Sequence, residues 1–234
     1  MHLKKFLKKN LTTKKIAFFG IFFVLALVAQ RINFSALVGA ENQFFTLFQF
    51  FAPVAGIFLG PFLGITAVLL AEVSNHLLQG SQWTLLNMLR LIPVLFATFY
   101  FGSRNKKRLG IFIPAMAIVM FLLHPVGRTV WFFTLYWTIP MLPYILPKKY
   151  GDMLMLKSLG ATFTQHAVGG ALWIWTVPMT ASQWIGLIPV IAYERGLFAL
   201  GMAFTYILFN TILAKLDEKW TSGAVEVDKK YAFA

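Results

Sequence analysis

Residues 44–70 read FFTLFQFFAPVAGIFLGPFLGITAVLL, a run without a charged side chain in which Thr46, Gln49 and Thr66 are the only polar residues. The apolar character continues to Leu78, and Gly60-Pro61 punctuates the middle. A helix needs roughly 20 mostly apolar residues to cross the hydrocarbon core of a bilayer. The stretch therefore predicts two membrane segments joined by a turn at Gly60-Pro61. Ile16–Gln30, Phe112–Leu123 and Trp184–Ala192 are likewise uncharged. These runs are apolar on all sides, whereas a membrane β-barrel would need short alternating strands. The fold class expected is an all-α, polytopic transmembrane helix bundle.

The composition agrees. Of 234 residues, 59% are hydrophobic, 17% aromatic and only 12% charged, more apolar surface than a soluble domain of this length can hide. No cysteine is present, which excludes disulfides and thiolate metal sites. The net charge of +13 does not point to nucleic acid, because Lys4, Lys5, Lys8, Lys9, Lys14 and Lys15 flank the first hydrophobic run. Placed there, they read as cytoplasmic charges of the positive-inside rule, and the run itself as a retained first helix rather than a cleaved leader.

Punctuation divides the chain into about eight segments, with six or seven if Pro125 marks a kink or re-entrant element. They cover about Ile16–Phe34, Phe44–Gly60, Pro61–Leu78, Trp83–Phe101, Ile111–His124, Thr129–Leu146, Met153–Val177 and Trp184–Leu213. Eight crossings with the N-terminus inside bring the 104–108 loop, Lys148-Lys149 and the tail to the cytoplasmic side. The opposite loops, Ser35–Asn42, Gly80–Gln82 and Pro178–Gln183, hold no Lys or Arg, as the charge rule requires. The organisation expected is a basic cytoplasmic N-terminus (1–15), one membrane bundle (16–213) and a polar cytoplasmic tail (214–234).

Ionisable groups within a bilayer cost a few kcal/mol each on insertion scales, so they are default functional candidates. Here they are Glu72, His76, Arg90, His124, Arg128, His166, Glu194 and Arg195. The topology places most of them in the outer half. Glu72 and His76, four apart, share a helix face, and Asn87 and Arg90, three apart, share another. A structural reading pairs Glu72 with Arg90 or Arg195. Arg195 points roughly 100° away from Glu194 around the helix, so Glu194 is expected to need another partner. Two glutamates against three arginines (Arg90, Arg128, Arg195) leave a guanidinium for an anionic ligand group, unless Arg128 snorkels to headgroups.

Trp83, Trp131, Trp173, Trp175 and Trp184 lie near predicted outer ends as an interfacial belt, with Trp131 and Trp173 the candidates for stacking on a planar ligand. His166 sits in TQHAVGG (164–170), where small neighbours permit close approach of a helix or ligand; a histidine there also serves simply as a hydrogen-bonding core residue. The spacing of His76, His124 and His166 does not suggest a metal site. No GxSxG, HExxH or P-loop occurs, and the aspartates Asp152, Asp217 and Asp228 lie outside the segments. Neither a catalytic centre nor a bound cofactor is expected.

The stretch Ala55-Gly56-Ile57-Phe58-Leu59-Gly60-Pro61-Phe62-Leu63-Gly64, the apolar helix leading to the polar cluster Glu72–His76, the small size and the basic N-terminus together resemble the S components of energy-coupling factor vitamin transporters. The resemblance covers about the first hundred residues. It implies capture of a vitamin-like solute near the outer face, with a transmembrane coupling protein and separate ATPase subunits as partners. That family has six helices and four-residue spacing of small residues on the first. This chain reads as about eight segments, and Ala17, Gly20, Ala26 and Ala29 form no such ridge.

The function expected is that of a membrane transport subunit binding a small organic anion or vitamin-like solute. Its binding set would be Glu72, His76, Asn87, Arg90, Arg128, Trp131, His166, Trp173, Glu194 and Arg195. The alternatives are an accessory subunit of a larger membrane complex or an intramembrane enzyme acting on a lipid.

Overall fold

A computed structural model describes residues 12–36, 44–103, 107–215 and 227–232. The distal basic N-terminus, most of the 35–42 loop, Arg104 to Lys106 and much of the tail lie outside these. The described chain is all-α apart from one short hairpin.

Helix α1 (Thr13–Ala29) starts at Thr12, whose hydroxyl accepts from the Lys15 amide, an N-cap that satisfies a free backbone donor. It ends five residues before the expected Phe34. Strand β1 (Asn33–Ala36) follows and pairs antiparallel with β2 (Phe44–Thr46). The segment expected over 44–60 is not a continuous helix. It is built from 3-10 turns at Leu47–Phe50 and Ala52–Val54 and a five-residue helix α2 (Ala55–Leu59). Pro53 removes a backbone donor from the middle of the stretch, which interrupts helical bonding.

At Gly60 the backbone takes φ +84°, a conformation that glycine enters without steric cost, and Pro61 opens α3 (Pro61–Leu78). The chain reverses there as the sequence suggests. A Cβ on Gly64 would lie 2.6 Å from the Gly56 Cα, and one on Gly102 would lie 2.4 Å from the Gly56 carbonyl oxygen. Three glycines thus let α2, α3 and the later stretch that ends at Gly102 meet backbone to backbone.

Helix α4 (Leu85–Arg90) and α5 (Ile92–Gly102) are nearly continuous, broken at Leu91 just before Pro93. Helix α6 (Lys107–Leu123) ends where His124 caps a short helix α7 (Pro125–Thr129) through its Nδ1. The sixth segment, expected as a helix over Thr129–Leu146, is instead a 3-10 stretch at Trp131–Met141 and a single turn, α8 (Leu142–Ile145). Pro140 and Pro143 withhold two amides there, and Val130, Phe133, Trp137 and Pro140 face inward.

After a turn, α9 (Lys148–Gly151), come the two longest helices, α10 (Leu154–Thr176) and α11 (Ala181–Lys215). Helix α10 is central, packing on α5, α6, α11 and the 131–141 stretch. Its small residues make this possible: a Cβ on Gly160 would sit 2.2 Å from the Tyr100 hydroxyl, and one on Gly170 2.6 Å from the Trp137 indole. Helix α11 has 35 residues, roughly 50 Å at 1.5 Å per residue. It joins the two cores, burying Trp184 and Ile191 in one and Phe198, Met202, Tyr206 and Leu213 in the other. Among the described residues three spans, Pro61–Leu78, Leu85–Gly102 and Ala181–Lys215, are long and apolar enough to cross a membrane.

One end of the bundle gathers the glycine junction, Tyr144, Asp152 and the end of α11. Residues 227–232 dock there. The Asp228 amide donates to the buried Asn210 Oδ1 at 2.8 Å, and the Tyr231 ring packs on Tyr206. At this end the exposed Asp152 pairs with Lys157 at 2.9 Å, and that ammonium holds its carboxyl below the usual carboxylate range. The other end carries the β-hairpin, the 79–84 turn and the start of α11.

Candidate functional site

At the hairpin end a cavity of about 480 Å³ opens between α1, the hairpin, α3, α4, α10 and α11. Its size falls in the range of small-molecule sites. Each polar residue in its wall is delivered by a helix end or a close-packed helix.

Helix α3 brings Glu72, Asn75 and His76 to the wall, and its C-cap Gln79 joins them. Gln79 donates to the Asn75 side chain at 3.4 Å, the His76 ring lies 4.1 Å from that of Trp83, and its buried Nε2 has no hydrogen-bond partner among the described residues. Helix α4 is short because Thr84 caps it, accepting from the Asn87 amide at 3.2 Å, and Pro93 starts the next. Asn87 and Arg90 therefore face the cavity from one six-residue helix, and the Asn87 amide group donates to the Gln82 carbonyl at 2.9 Å.

Glu72 reaches the cavity wall from α3 and Arg90 from α4. Neither belongs to a direct salt bridge among the described residues. The pairing expected for Glu72 is thus not closed, neither to Arg90 nor to Arg195.

Arg195 pairs instead with its chain neighbour: its Nη2 lies 3.6 Å from the Glu194 Oε2, and both residues are buried. This corrects the expectation that Glu194 must look elsewhere. Adjacent Cβ atoms do diverge by about 100° on a helix, but the long arginine side chain bends back across the gap. The rings of Phe45 and Phe198 hold it there, their centroids 4.6 and 4.9 Å from the guanidinium carbon.

From α10, His166 accepts a hydrogen bond at Nδ1 from the Trp137 indole N–H at 2.9 Å. A neutral imidazole so held carries its proton on Nε2, a donor available to the cavity that His166 lines. The small residues around it serve this contact, since Gly170 leaves the space occupied by Trp137. Trp173 lines the cavity one face further along, and Trp184 closes it from α11.

The cavity therefore brings together Glu72, His76, Asn87, Arg90, His166, Trp173, Glu194 and Arg195. Arg128 and Trp131 are not among its lining residues. Arg128 is exposed and donates to the Leu123 carbonyl at 3.4 Å, and Trp131 is 58% exposed. The break at His124-Pro125 turns both away from the cavity. Sequence reasoning missed the amides of Gln30, Asn33, Gln49 and Gln165 in the wall. Gln165 is buried and bonded to Gln49. Their signal was present: a glutamine amid apolar residues is itself expensive to bury, and weighing only ionisable groups passes over it. Among the described residues no cluster of three or more metal-ligating side chains occurs.

No protein-family model matches the chain. It is similar to MJ0923, an uncharacterized protein of Methanocaldococcus jannaschii, at 24% identity over 230 residues, covering 92% of this chain and 76% of that protein. No solved structure matches.

Proposed function

We propose that the chain is a multi-pass membrane protein with both termini cytoplasmic, and that it captures a small organic anion or vitamin-like solute in the cavity at its outer end. The observation that carries this reading is the cavity itself. Residues chosen from sequence for their cost in lipid, scattered from 72 to 195, line one space of about 480 Å³. Groups that served only to tie helices together would be expected to pair across helices, whereas Glu72 and Arg90 form no direct salt bridge among the described residues.

The orientation rests on charge. Lys148, Lys149, Lys157 and Lys230 belong to the end opposite the cavity, which the positive-inside rule makes cytoplasmic. The eight traverses then include two, 44–59 and 125–145, made of 3-10 turns and short helices. Such backbone is tolerated at membrane depth where protein buries it. In this reading the chain has the role that its resemblance to S components implies. It is a capture subunit, with a separate transmembrane coupling protein and ATPases to drive release.

The test is an unbiased mass-spectrometric inventory of small molecules retained by the gently purified chain. One solute, enriched over an unrelated multi-pass protein and binding back saturably, is expected. An extract without any enriched solute overturns the reading.

A further inference from the structure

The charges around the cavity restrict what it can take. Its wall holds two carboxylates, Glu72 and Glu194, and two guanidinium groups, Arg90 and Arg195. Glu194 and Arg195 close on each other, and Phe45 and Phe198 cover the guanidinium. Arg128, the third arginine whose excess points to a plain anion in the sequence, lies outside and bonds a backbone carbonyl. What remains in the cavity, among the described residues, is one carboxylate and one guanidinium that line the same wall without a direct salt bridge. An anion seated on Arg90 would meet the repulsion of Glu72, and a cation on Glu72 that of Arg90. In a low-dielectric cavity such repulsion is weakly screened. A ligand bearing both charges satisfies both residues at once, and Trp173, only partly buried in the same wall, is an aromatic side chain on which a flat body can pack.

Resting on the solute-binding reading above, we infer that the ligand is a small zwitterion with a planar aromatic body, its carboxylate on Arg90 and its ammonium on Glu72. Arg90 receives the carboxylate in a bidentate fork. Asn75 and Gln79 adjoin the ammonium end.

Three probes that share an indole ring separate the possibilities: tryptophan carries both charges, tryptamine only the ammonium, and indole-3-propionate only the carboxylate. Binding to the purified full-length chain is measured by isothermal titration calorimetry. Tryptophan is expected to bind at least about tenfold more tightly than either analogue, one charge-assisted hydrogen bond being lost in each. Glu72→Gln should erase the advantage over indole-3-propionate, and Arg90→Gln the advantage over tryptamine. The wild-type ranking stands by itself should a variant fail to fold. Equal or tighter binding of indole-3-propionate overturns the inference in favour of a plain anion, and equal binding of tryptamine overturns it in favour of a cation. Failure of all three to bind overturns it as well. In each case the solute-binding reading stands or falls separately, on whether the mass-spectrometric inventory recovers a solute.

Discussion

Substituting Gly56 by alanine should loosen the end of the bundle opposite the cavity. The new methyl would lie 2.1 Å from the Thr98 carbonyl oxygen and 3.1 Å from the Gly102 amide nitrogen. The nearest of these is about 1 Å inside any tolerable contact, and backbone atoms cannot rotate out of the way as a side chain can. Helices α2 and α5 must therefore separate. Overpacking of this kind costs about 1–3 kcal/mol, and for a chain of this size each kcal/mol lowers the melting temperature by about 2–4 °C. A loss of about 2–12 °C is expected, read by intrinsic fluorescence of the purified protein in detergent. Gly20→Ala is the control, because nothing lies within 4 Å of its Cβ position; it should melt at or slightly above the wild-type temperature. Gly56→Ala combined with Gly102→Ala should cost less than the two apart, since one separation of the helices relieves both clashes. A Gly56→Ala protein that melts within about 1 °C of wild type would refute the close junction of α2, α3 and α5.

Glu194→Gln strands Arg195, which is 1% exposed, and should destabilise by about 3–5 kcal/mol; adding Arg195→Gln should recover part of that in the same melting assay. Arg128→Ala and Trp131→Ala should leave the affinity for the recovered solute within about twofold, measured by equilibrium dialysis, because neither residue lines the cavity. The chain contains no cysteine, so single cysteines report topology directly. Gln82→Cys and Ser182→Cys should react with a membrane-impermeant maleimide on intact cells, and Lys148→Cys only after permeabilisation; the reverse pattern would invert the orientation.

The helical class and the reversal at Gly60-Pro61 were legible because long uncharged runs and a Gly-Pro step have few other physical solutions. The interruptions at 44–59 and 131–141 were less so. Hydropathy registers how apolar a segment is, and Phe48, Phe133 and Trp137 are as apolar in a 3-10 turn as in an α-helix. The prolines at 53, 140 and 143 were the available signal, and they mark local backbone chemistry rather than length. In the cavity, spacing of three and four on α3 and α4 correctly gathers Glu72 with His76 and Asn87 with Arg90 on common faces. Helical angles alone misjudge Arg195, whose reach depends on a flexible side chain steered by Phe45 from a distant strand. Arg128 and Trp131 looked equivalent to the others because nearness to an outer end does not tell which side of the bundle a side chain takes.

The claim on which the functional account depends is that a solute sits against Arg90. Saturable binding of the recovered solute should be compared directly between wild type and Arg90→Ala, with melting temperature and size-exclusion profile monitored on the same samples. The account predicts loss of binding by the variant at unchanged fold and dispersity; an Arg90→Ala protein that binds with wild-type affinity would contradict it.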